Sequence, residues 1–170
     1  MSVRLIGAIM VIVGCSCVGF SMAIVHRKTE TTLARLICAI EYMECELQYH
    51  LTPLPELCVM TSEHVSGEIS CVFRELANIM VSQQQQNAKA CMDDVLERVN
   101  AIPSLTRDNL LKLGQVMGRF DLQGQLSGLA SIKELVRRDL DGLQIDKDAR
   151  LRSYQTLGIC AGVALVILFI

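Results

Sequence analysis

Tryptophan is absent from this 170-residue chain, and only three tyrosines and four phenylalanines stand in for it. Strands lean on aromatic and β-branched residues, so the scarcity, set beside abundant Leu, Ile, Val, Met and Ala, points to packed helices. No segment of any length alternates apolar and polar residues with the two-residue period of a strand. Catalytic signatures are missing as well. There is no Gly-rich phosphate loop ahead of a Lys and Ser/Thr, no nucleophile elbow and no HExxH helix. The eight cysteines include no CxxC pair, and His26, His50 and His64 are scattered, so neither a metal nor a cofactor is expected. A net charge of −2 without a basic stripe gives nucleic acid no footing. No small-molecule substrate is indicated either. The chain reads as a non-enzyme.

Cys15, Cys17 and Cys160 lie in apolar terminal stretches, while Cys38, Cys45, Cys58, Cys71 and Cys91 occupy helical positions in between. Most are expected to be small buried hydrophobes in a reducing compartment. The minor catalytic alternative is a thiol-dependent enzyme using Cys58 or Cys71, which requires an exposed thiol of lowered pKa.

What the chain has in excess is apolar sequence at its two ends. Leu5 to Val25 carries no charge for 21 residues and stops at His26-Arg27-Lys28. That length suits a helix crossing a hydrocarbon core roughly 30 Å thick. A cleaved signal peptide fits less well, because no small-x-small site with a polar start follows. Ile12-Val13-Gly14-Cys15 loosely resembles a lipoprotein site, but the following ten residues stay apolar. Leu157 to Ile170 is the second apolar stretch. Arg27 and Lys28 on one side, and Lys147, Arg150 and Arg152 on the other, outnumber Arg4, so the positive-inside rule puts the middle in the cytoplasm. The expected organisation is a transmembrane helix over 3–25, a cytoplasmic bundle over 26–153, and a transmembrane or membrane-inserted helix over 154–170. The protein is thus expected in the cell membrane, with the lipid bilayer itself as a partner.

The middle reads as an all-α bundle, with about six helices counted across the chain. Leu33, Leu36, Ile37, Ile40, Met43 and Leu47 recur at three- and four-residue steps. Thr52-Pro53-Leu54-Pro55-Glu56 ends that helix and starts another, with Thr52 as the expected N-cap and Leu54, Leu57 and Val59 as the buried face. After Gly67 the period resumes at Ile69, Val72, Phe73, Leu76, Ile79 and Met80. It continues at Cys91, Met92, Val95, Leu96 and Val99, then at Leu110, Leu111, Leu113, Val116, Met117 and Phe120. Asp121 is the expected N-cap of a sixth helix running from Leu122 towards Leu151.

Two features stand out from this framework. From Glu30 to Glu68 there are seven acids and one base, Arg35. Acids at helical spacing are ordinarily a solvated face, but this imbalance also suits docking of a basic partner, with Glu41, Glu44 and Glu46 as the candidate contacts. Gly114 and Gly118, four apart, share a helix face where each glycine costs roughly 1 kcal/mol against alanine. Close interhelical packing is the natural reason, with Asp121 and Gln125 securing the turn beyond.

At these residues the chain resembles the stage III sporulation protein AB family. An N-terminal anchor, an acidic helix, Thr52-Pro53-Leu54-Pro55-Glu56, the turn bearing Gly114, Gly118, Asp121 and Gln125, and a C-terminal apolar stretch follow in the same order. The resemblance covers nearly the whole chain. It implies a protein of endospore-forming bacteria, made in the mother cell and lying in the outer forespore membrane around the engulfed forespore. It also implies membership of a channel-like complex joining the two cells. The cytoplasmic domain is similar to that of the platform protein of type II secretion and type IV pilus machines. A hexameric secretion-type ATPase and other membrane subunits are therefore the implied partners. A membrane-anchored helical scaffold of another secretion or envelope machine is the alternative.

Overall fold

The computed structural model describes residues 27–82, 87–99, 101–117 and 121–169, with side chains as far as Ile145. Six helices and no strand occur among the described residues: α1 (27–49), α2 (Leu54–His64), α3 (Glu68–Val81), α4 (Ala88–Arg98), α5 (Ser104–Val116) and α6 (Leu122–Phe169). The expected membrane spans over 3–25 and 154–170 lie outside the residues whose side chains are described. No helix among the described residues is long and apolar enough to cross a membrane.

The apolar stripes converge on one core. Leu33, Leu36, Ile40 and Met43 of α1 are fully buried with Ile69, Phe73 and Leu76 of α3, Met92 and Leu96 of α4, and Leu110 and Leu113 of α5. Leu129, Ile132 and Val136 supply the face of α6. Val59, by contrast, is turned to solvent and its neighbour Cys58 takes the buried place. Helix α2 thus buries Leu57 as expected, together with Cys58, Thr61 and Ser62, with Leu54 packed partly buried against the core.

The N-cap of α2 also differs from expectation. Pro53, not Thr52, precedes the helix, at φ −57° and ψ 144°, and no side chain caps it. A capping hydroxyl accepts from the second or third helical N–H; with Thr52 as cap the third would be Pro55, which has none, so one of the two donors is lost and only that of Leu54 remains. The Pro53 carbonyl instead accepts the Leu57 N–H at 2.9 Å. Asp121 behaves as expected: its carboxylate accepts from the Gly124 N–H at 3.2 Å, and its carbonyl accepts from Gln125 at 2.9 Å.

Alternate helices run in opposite directions, and specific contacts set their levels. Lys28 pairs with Glu68 at 3.2 Å and donates to the Ala101 carbonyl at 2.8 Å. The start of α1 therefore lies beside the α2–α3 and α4–α5 connections. Gly67, at φ +73° and ψ −149° where a side chain is strained, opens α3 beneath the Arg35 guanidinium. At the other end of α1, Lys133 pairs with Glu44 and Arg137 with Glu41. These pairs lock α1 and α6 antiparallel. Along that register residue 27 of α1 is level with about residue 151 of α6. The start of α1 and the C-terminal half of α6 therefore lie at the same end of the bundle. The ends of α1, α3 and α5 and the starts of α2, α4 and α6 gather at the opposite end, roughly 33 Å away by the rise of α1.

Candidate functional site: the distal tip of the bundle

The two sequence motifs meet at that opposite end, which we call the tip. Leu54 from the first motif and Gln125 from the second line one small pocket, together with Met43 and Leu47 of α1, Val116 and Met117 at the end of α5, and Leu129 of α6. Thr52 and Pro55 are half-buried beside it, and Pro53 and Glu56 are exposed. Asp121 is exposed at the start of α6. Gly118 lies outside the described residues.

Gly114 supports the tip from below. A Cβ there would stand 2.8 Å from the Met92 Cβ and 3.6 Å from the Ala88 carbonyl, so α4 approaches α5 as closely as a bare backbone allows. A second close approach went unanticipated by sequence reasoning. Gly128 of α6 lies under Val116, whose Cγ1 would be 2.2 Å from an added Cβ. Residues 114 and 128 sit in different helices, so no single helical repeat reveals the pair.

The acidic residues of α1 divide by partner. Glu44 is joined to Lys133, both side chains only 18% exposed. Glu41 accepts from Arg137 at 2.7 Å, and Arg137 also reaches Glu134 at 3.2 Å. Glu46 lies 3.2 Å from His50 one turn on. The clustered negative charge of α1 is thus met from α6 by residues about ninety positions away, a pairing sequence alone does not reveal. Glu56 has no ion pair among the described residues.

The thiols are less uniform than expected. Cys58 and Cys91 are buried, but Cys38, Cys45 and Cys71 are exposed. Cys38 and Cys45 lie on the side of α1 away from its core stripe, and a thiol carries too little polarity for sequence to reveal which side it takes. Burial, with a smaller contribution from Cys91, pushes the Cys58 thiol up to about 12. A group so rarely ionised near neutrality is a poor nucleophile. An alkylating reagent is expected to modify Cys38, Cys45 and Cys71 in the folded protein, and Cys58 and Cys91 only after denaturation. Peptide mapping of the labelled chain checks this, and labelling of Cys58 as fast as Cys71 would contradict it. No group of three or more His, Cys, Asp or Glu suited to a metal occurs among the described residues.

A family model described as stage III sporulation protein AB matches residues 4–170. The chain belongs to the stage III sporulation protein AB family. Stage III sporulation protein AB of Bacillus subtilis (strain 168) is 23% identical over 171 residues, covering 97% of this chain and 98% of that relative. A solved structure of stage III sporulation protein AB superimposes with a TM-score of 0.63 at 16% identity, covering 72% of this chain and 98% of the solved one. At that identity the likeness speaks for the fold: the helical bundle is shared with this stage III sporulation protein AB structure.

Proposed function

We propose that this sporulation protein is a non-catalytic platform or adaptor subunit of a secretion-like transenvelope channel. In this reading residues 26–153 form a cytoplasmic domain on the mother-cell side of the outer forespore membrane. It docks a hexameric secretion-type ATPase and joins it to the other membrane subunits. The observation that carries the reading is the antiparallel α1–α6 clasp through Glu44–Lys133 and Glu41–Arg137. Helices tied at that level hold the start of α1 and the C-terminal half of α6 at one end of a packed bundle and leave the other end to meet a partner. A part that transmits load between a membrane and a soluble motor needs this polarity. Family membership supplies the sporulation context.

In this reading Glu41 and Glu44 serve the domain chiefly by bracing α6 against α1. Losing one partner of the half-buried Glu44–Lys133 pair leaves its mate uncompensated, at a cost on the order of 1–3 kcal/mol. The test is binding of the full chain, held in lipid nanodiscs, to the hexameric ATPase encoded nearby. Saturable binding that weakens between 50 and 300 mM salt, tested conditions that span the screening range, is the expected result. A folded chain that binds nothing would leave a passive scaffold as the better reading.

A further inference from the structure

Four of the six large apolar side chains exposed among the described residues stand at the tip: Tyr49 at 71%, Leu51 at 66%, Val81 at 68% and Leu122 at 37%. They come from three separate helix ends, so no single amphipathic helix explains them. One of them also carries strain. Leu51 sits at φ +52°, and no other described non-glycine residue has a positive φ. A residue just past a helix end is often left-handed, but glycine or asparagine normally takes that place. A leucine there bears both the steric cost of the conformation and the cost of showing its side chain to water.

Charge on the α1, α2 and α6 sides of the tip is acidic, whereas Lys89, exposed at the start of α4, brings a base to the α4 side. Glu46 and Glu56 lie on the α1 and α2 sides and Asp121 at the start of α6, while residues 36–66 contain no Lys or Arg. The nearest base in α6 is Lys133, which Glu44 occupies. Arg119, in the α5–α6 connection, lies outside the described residues.

From these observations we infer that the tip is the docking surface, and that Leu51 and Tyr49 are its apolar anchors. The occupant is a protein surface with an apolar recess bordered by Lys or Arg side chains. Steric strain and exposure at Leu51 have a reason if its side chain is covered on binding. The acidic edge along α1, α2 and the start of α6 then steers the approach and fixes orientation, as charges around an apolar centre do. The inference rests on the platform reading, with the recess belonging to the ATPase, and it moves the contact from the flank of α1 to its end.

Leu51→Gly separates docking from folding. Glycine accepts the left-handed conformation freely, so the variant is expected to melt at the wild-type temperature or above it. Loss of an anchor is expected to weaken ATPase binding by about tenfold or more. Glu56→Lys is expected to slow association and flatten the salt dependence. Placing the photo-crosslinking residue p-benzoylphenylalanine at Leu51 should give a covalent product with the ATPase, and placing it at exposed Asn78 on α3 should not. If the wild type binds and Leu51→Gly binds equally well, the tip assignment is overturned while the platform reading stands. If the folded wild type does not bind, both fall.

Discussion

Replacing Phe73 by alanine is expected to destabilise the bundle by about 3–5 kcal/mol, a large share of the total stability of a domain this size. Phe73 is fully buried near the middle of α3, in the cluster shared by α1, α4, α5 and α6. Truncation removes a ring and leaves a cavity among side chains fixed by helices on every side, which limits collapse into the space. Thermal unfolding of the chain followed by circular dichroism should fall by on the order of 10–20 °C. A shift of less than a few degrees would mean that the core repacks and that the described packing is not what holds the helices together.

Gly114→Leu should produce the second large loss. The Cβ alone would stand 2.8 Å from that of Met92, and leucine adds three more carbons in the same direction. Helix propensity favours the change by roughly 1 kcal/mol, but forcing α4 and α5 apart costs at least 1–3 kcal/mol and outweighs it. Met92→Ala vacates the contested space. By itself it removes a fully buried side chain and costs about 2–5 kcal/mol. Together the two changes should destabilise less than their sum, with a coupling of roughly 0.5–3 kcal/mol. Strict additivity would contradict the close approach of the two helices.

Why these residues form these helices was largely legible in sequence, because the signal is local. Leu33, Leu36, Ile40, Met43 and Leu47 repeat with the helical period, and all five are buried. Gly114 was legible for the same reason: a costly residue on an otherwise good helix face implies a neighbour too close for a side chain. The misses have local causes too. Pro55 removes one of the two N–H donors that a Thr52 cap would use, and α2 starts one residue later. Cys58, beside Leu57 and three before Thr61, keeps the helical period of the buried face, and Val59, two after Leu57, does not.

The site was less legible because it is assembled across the chain. Glu44 and Lys133 are 89 residues apart and Glu41 and Arg137 are 96 apart, so the acidic helix looked unpaired until the fold closed. Even the tip, where Leu54 and Gln125 share a pocket, depends on helix order that no single motif encodes. Leu51 is the extreme case. A leucine after a helix raises no flag in sequence, and only its left-handed backbone and exposed side chain set it apart.

The most direct test of a platform that meets its motor at the tip is a cryo-electron microscopy map of the full chain in a nanodisc with the hexameric ATPase bound. The account predicts ATPase density against the end formed by residues 49–54 and 121–122, opposite the end where α1 begins. Density lying instead along the flank of α1 and α6 that carries Glu41 and Arg137 would contradict it.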